Sequence, residues 1–121
     1  MLKKLLIAED ERDLRNFLRD ELTDAGFTVT AVKDGAEAVV NAVDQHYDLF
    51  LLDMMMPGLD GIQTIKVLRK IASGVPILGL TGYVGQGFMS QASAYGVNCL
   101  SKPVAISDLI KEINEALRLK A

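Results

Sequence analysis

The segment DLFLLDMMMPGLDG, residues 48–61, runs four apolar residues into one acid, then into a methionine run and a Pro-Gly turn. A strand apolar on both faces, as Leu49–Leu52 would be, is the pattern of a sheet covered by helices on each side. Asp53 then stands at the mouth of a buried strand. An acid in that place is either a solvated loop residue or part of a site.

Four more short apolar runs lie to either side: KLLIAE (4–9), TVTAV (28–32), PILGLT (76–81) and NCLSK (98–102). Between them the apolar period lengthens to about 3.6 residues, the helical spacing. Leu14, Phe17, Leu18 and Leu22 form one stripe, and Ile106, Leu109, Ile110, Ile113 and Leu117 another. Asp34 with Glu37, and Asp60 with Gln63, have the spacing of a capping box. Gly26 and Gly96 follow helical stretches, where a left-handed residue is favoured. Strict β-α alternation predicts an α/β, doubly wound fold, a parallel sheet with helices on both faces.

Composition narrows the function. The 121 residues suffice for one domain with a sizeable core, and half of them are hydrophobic. A formal net charge of −3 argues against a nucleic-acid surface, which needs Lys and Arg. No apolar run reaches membrane-spanning length, and MLKKLLIAEDE turns acidic too soon for a signal peptide. The single cysteine, Cys99, excludes an internal disulfide and fits a reducing cytoplasm. No repeat or linker marks a second domain, so one domain is expected over residues 1–121.

In open α/β sheets, ligands gather beyond the carboxyl ends of the strands. Here those ends carry Glu9-Asp10, Asp53, Thr81 and Lys102-Pro103; the second run ends in Val32-Lys33, outside the pattern. With a strand order of 2-1-3-4-5 the first and third strands are neighbours and their acids converge. Two carboxylates ~4.5 Å apart repel by roughly 3–4 kcal/mol at an effective dielectric near 20, so three need a proton, an ammonium or a metal. Hard oxygen ligands with room for water favour Mg²⁺ over a soft-ligand metal. Lys102 adds an ammonium and Thr81 a hydroxyl, which together suit a phosphoryl group. A carboxylate can itself be the nucleophile, forming an acyl phosphate.

These motifs, Glu9-Asp10, Asp53 with MMMPGLDG, Thr81 and Lys102-Pro103, resemble the receiver domain of the response-regulator family of two-component signalling. The resemblance covers essentially the whole chain. It implies the flavodoxin-like five-stranded order 2-1-3-4-5. It also implies that Asp53 accepts phosphate from a histidine kinase or phosphotransfer protein. Glu9, Asp10, Asp53 and the backbone carbonyl of Met55 would hold Mg²⁺. Thr81 would hydrogen-bond a phosphoryl oxygen, Lys102 would pair with it, and Lys102-Pro103 would be cis. The chain would be a cytoplasmic switch rather than a metabolic enzyme, taking part in its own phosphotransfer and dephosphorylation. Phosphorylation would switch residues 81–105 and the face of the fourth helix, fifth strand and fifth helix for a downstream protein target. No output domain, nucleic acid or membrane partner is expected in this chain, and a monomer or weak dimer is.

Two positions depart from the family pattern. Cys99 stands where an aromatic switch residue is common, and Gly82 follows Thr81 where alanine is common. Gly82, Gly85 and Gly87 are expected to loosen that loop, so that Thr81 orders it on phosphorylation. Met55 and Tyr83, two residues beyond Asp53 and Thr81, carry no charge to orient water, which predicts slow loss of phosphate. No charged residue lies between Thr81 and Ser101, so the fourth helix is expected to offer an uncharged contact surface.

Simpler readings exist for each residue alone. Asp10 could cap the first helix, Thr81 could be an ordinary strand-end threonine and Lys102 a solvated lysine; only the set overturns them. Asp60 is expected to be a cap, the methionines packing and loop residues, His46 a surface residue and Cys99 a small buried one. A haloacid dehalogenase-type phosphatase would want an acid at Met55. A topoisomerase-primase site would want a closer acid pair. A flavodoxin phosphate loop would not carry EDERD, and no P-loop is present. A receiver-like module that is never phosphorylated would lack one of the acids, the threonine or the lysine.

Overall fold

The computed structural model describes residues 2–82 and 88–120. Five strands, β1 (Lys4–Ala8), β2 (Thr28–Val32), β3 (Leu49–Asp53), β4 (Ile77–Thr81) and β5 (Asn98–Ser101), alternate with five helices. These are α1 (Arg12–Asp24), α2 (Gly35–Asp44), α3 (Gly61–Ile71), α4 (Phe88–Ala94) and α5 (Ile106–Lys120). The sheet is parallel in the order β2-β1-β3-β4-β5. All five expected strands form. Glu9 and Lys102 fall just beyond the ends of β1 and β5, already in the loops.

Strand β3 is buried along its whole length, as its two apolar faces require, and so is β4. One core packs Leu6, Phe50, Leu52, Met54, Ile65 and Leu68 on one face of the sheet. The other packs Leu5, Ile7, Leu51 and Leu80 against Leu18 and Leu22 of α1 and Leu109 and Ile113 of α5. Phe17 departs from the expected α1 stripe. It lies one residue ahead of buried Leu18, off the inward face, and is half exposed. His46 is a surface residue as expected, 3.5 Å from Asp48.

Helix ends follow local chemistry. Asp60 and Gln63 form the full reciprocal capping box of α3. The second is partial: Asp34 accepts the Glu37 N–H, but the Glu37 carboxylate reaches back to the N–H of Lys33 instead of Asp34. Gly26 and Gly96 take the left-handed conformation after α1 and α4, with φ of 103° and 74°. At the carboxyl end of α3, Arg69 donates to the carbonyls of Val75 and Tyr95 at 3.1 Å each. That guanidinium fastens α3 to the end of α4.

The residue after Asp53 is fixed by shape. Met54 is fully buried, and a Cβ on Gly61 would lie 2.6 Å from both its Cα and its Cε. A Cβ on Gly79 would lie 2.6 Å from Cys99 Sγ and 3.1 Å from Met54 Cε. Two glycines thus make the notch that seats Met54. Alanine is the better helix former than glycine by about 1 kcal/mol. Gly61→Ala is nevertheless expected to destabilise by roughly 1–3 kcal/mol, because the added methyl meets backbone that cannot swing away. Urea unfolding of the two proteins measures it, and a more stable variant would refute the packing argument.

Candidate functional site

Strand β1 delivers its acids because the chain turns immediately after Ala8. The Glu9 N–H donates to the Val32 carbonyl at 3.0 Å, holding the turn to β2. Next to it, Asp53 ends β3, with its neighbour Met54 donating to the Leu80 carbonyl at 2.8 Å. Carboxylate oxygens of Glu9, Asp10 and Asp53 all lie within 4.8 Å of one another. Glu9 and Asp53 are buried, whereas Asp10 is exposed. They line a cleft of about 350 Å³ with Met55, Gly82 and Lys102.

Among the described residues, one ammonium at this edge is shared. Lys102 Nζ stands 3.0 Å from Glu9 Oε1 and 3.2 Å from Asp53 Oδ2. Burial disfavours its charge, yet the two carboxylates hold it above the ordinary lysine value. Asp53 Oδ1 accepts the Met55 N–H at 3.2 Å, and Glu9 Oε2 accepts the Glu11 N–H at 3.0 Å. Glu9 Oε1 is buried and, although it faces Lys102, accepts no well-aligned hydrogen bond. Burial and the Glu9 carboxylate push the Asp53 carboxyl up to about 7, against the pull of Lys102 and the Met55 N–H. Too little positive charge for three acids, two of them buried, is what a site built for a divalent cation should show. The all-oxygen donor set fits a hard ion such as Mg²⁺.

Most expected site residues meet here. Thr81 is fully buried at the end of β4, beside the strand that carries Asp53, and its carbonyl accepts the Lys102 N–H at 2.8 Å. The Lys102–Pro103 bond is cis. Asp10 does not cap α1. The N-cap is Glu11, without a side-chain cap bond, so the site reading of Asp10 gains over the capping one. Asp60 caps α3 and stays outside the cleft. Met54 and Met56 are packing residues, while Met55 is exposed at the rim. Cys99 is half-buried rather than buried, because it lies on the edge strand; burial still pushes its thiol up. Tyr83, Gly85 and Gly87, with the loop-ordering expectation that rests on them, lie outside the described residues.

One participant carries no sequence signal. Arg15 Nη1 donates to the carbonyls of Glu9 at 2.9 Å and Asp10 at 3.3 Å. Arg12 and Arg19 lie on the same helix, and nothing in the spacing singles out the one that turns back.

The comparisons with known proteins agree with this geometry. Residues 5–114 match the family model of the response regulator receiver domain. The response regulator receiver protein CpdR of Brucella abortus is 33% identical over 117 residues, covering 96% of this chain and 98% of that protein. The transcriptional regulatory protein CusR of Escherichia coli K12 is 35% identical over 120 residues, and there the match covers 95% of this chain but 51% of the relative. Among solved structures, the chemotaxis protein CheY4 of Vibrio cholerae superposes with a TM-score of 0.89 at 28% identity, covering 96% of this chain and 99% of that one.

Ionised Asp53 opposes folding of the metal-free chain. Its folded pKa of about 7 exceeds the ordinary 3.8, so the native state keeps a proton the unfolded chain has lost, and stability falls as pH rises between those values. In chelator, Asp53→Asn is expected to raise the thermal midpoint by about 4 °C or more at pH 8, with little gain near pH 4. Thermal melts at the two pH values check it; a lower midpoint for the variant at pH 8 would contradict the charge argument.

Proposed function

The chain belongs to the family of response regulator receiver domains, and on that premise we propose that Asp53 is the phosphoacceptor of a two-component phosphorelay. The observation that carries this reading is the Asp53 carboxylate at the mouth of β3, 3.2 Å from Lys102 and within 4.8 Å of two more acids in an open cleft. One Asp53 oxygen attacks the phosphorus of a phosphohistidine on a kinase or phosphotransfer protein. The phosphorus–nitrogen bond breaks, imidazole leaves, and an acyl phosphate remains on Asp53. Lys102, already above its ordinary pKa, stays charged and moves its pairing from carboxylate to phosphoryl oxygen. Thr81 supplies a hydroxyl to the same group.

Glu9, Asp10, Asp53 and the Met55 carbonyl would hold Mg²⁺. Bound there, Mg²⁺ would neutralise both the clustered carboxylates and the incoming phosphoryl oxygens. The chain's own residues do the rest: the Met55 N–H orients the nucleophile, and Glu9 and Lys102 fix each other across the cleft. Met55 carries no charge at the rim, which supports slow loss of phosphate. Ordinary phosphoresidues carry about −1.5 to −2 charges at neutral pH, and the acyl phosphate is of similar scale. The chain acts as a switch rather than a metabolic enzyme, in the cytoplasm. Its readout is the face of α4, β5 and α5, offered to a downstream protein. Among the described residues, no helix is long and apolar enough to cross a membrane.

A protein that brings phosphohistidine to Asp53 must sit at the rim of the cleft. Beside Lys102 lies an apolar recess of about 400 Å³ between α1 and the β5–α5 connection, walled by Leu14, Phe17, Leu80, Pro103 and Val104. Phe17 is half exposed there and open to a partner.

Incubation with acetyl phosphate should add one phosphate mass that requires Mg²⁺ and is absent in Asp53→Ala. No gain under any condition would instead favour a receiver-like interaction module that is never phosphorylated. Phe17→Ala is expected to slow transfer from a phosphotransfer protein at least several-fold and leave the rate with acetyl phosphate unchanged. Equal slowing with both donors would place Phe17 in the fold and not in docking.

A further inference from the structure

Two acids in the β1–α1 turn must be held in position before they can serve as metal ligands. Glu9 is tied on both sides of its carboxylate, by the Glu11 N–H and by Lys102. Asp10 is not. It is exposed, and among the described residues its carboxylate makes no hydrogen bond or ion pair. Its aim therefore depends on its backbone. The usual tie for such a turn is a side-chain cap, and α1 has none: Glu11 sits at the N-cap with extended backbone and no cap bond.

Arg15 occupies the place of that missing tie. From the first turn of α1 its Nη1 reaches back to two consecutive carbonyls, 2.9 Å to Glu9 and 3.3 Å to Asp10. The Arg15 N–H closes the same turn on the Glu11 carbonyl at 2.9 Å. One nitrogen with two hydrogens thus fixes both peptide planes that set where the acid pair points. Mg²⁺ tolerates little error, since it takes near-octahedral geometry at about 2.0–2.1 Å. We propose that Arg15 is a positioning residue for the divalent cation. It acts through the Glu9 and Asp10 carbonyls without touching the ion. This rests on the reading of Glu9, Asp10 and Asp53 as the metal ligands.

Geometry and charge make opposite demands at this position. The guanidinium's positive charge disfavours a nearby cation, while its fork favours the ligand geometry. Lysine keeps the charge and loses the planar fork; methionine loses both. Outer hydrogen-bond partners of metal ligands are worth about tenfold or more in affinity.

The test is Mg²⁺ titration calorimetry of the native chain, Arg15→Lys, Arg15→Met and Asp53→Ala, with thermal midpoints recorded in chelator. The expected result is a Kd for Mg²⁺ about tenfold weaker in Arg15→Lys. That loss should exceed what any change in the metal-free midpoint would suggest. A lower metal-free midpoint with unchanged Kd would mean a purely structural residue and overturn the proposal. Native affinity in Arg15→Lys with tighter binding in Arg15→Met would mean charge alone, and overturn it too. If the native chain binds Mg²⁺ and Asp53→Ala does not, the metal reading stands whatever Arg15 does. If the native chain does not bind Mg²⁺, the metal reading fails, and this inference with it.

Discussion

Three carboxylates lie within 4.8 Å of one another, and among the described residues the one ammonium beside them, that of Lys102, pairs with two, Glu9 and Asp53; much of the molecule is arranged around that imbalance. Left to themselves, such charges would drift toward water. Here two of them cannot, because one ends a buried strand and the other directly follows one. β3 has no exposed residue, and Glu9 is pinned to β2 through its own N–H. Hydrophobic burial of the sheet therefore does electrostatic work, holding together groups that repel. Asp53 displays the result as a carboxyl that keeps its proton to about 7.

The scaffold that enforces this is stiff where the acids are and open where chemistry has to enter. Behind Asp53, Met54 is seated between Gly61 and Gly79, so the chain that carries this acid is fixed in the core. In front, Asp10, Met55 and Gly82 form an accessible rim. Couplings of about 1–3 kcal/mol link distant sites in typical allosteric proteins. A cluster of like charges is responsive in this sense, because any ion brought to it changes its electrostatic energy.

Much of this was legible in the sequence, for identifiable reasons. β3 could be read because both its faces are apolar, which only a doubly covered sheet demands. The acids could be read because strand ends are where a parallel sheet exposes side chains together. The order 2-1-3-4-5 came with the family resemblance, since alternation alone fixes parallel strands and not their arrangement. Phe17 was misread because the helical period is not an integer, so a residue beside the stripe resembles one within it. Cys99 was expected to be buried, but edge-strand position is a property of strand order that local composition does not encode. Arg15 was invisible for a deeper reason. Its partners are backbone carbonyls, which every residue has, so no pattern of side chains reports the contact.

The same anonymity of main-chain acceptors bears on Arg69. It ties the α3–β4 connection through the Val75 carbonyl and the end of α4 through the Tyr95 carbonyl. Neither acceptor depends on which amino acid stands at that position. The surface of α4 can therefore accumulate substitutions without loosening the joint that holds the helix to its neighbour. Heritable change on this face is decoupled from the fastening beneath it.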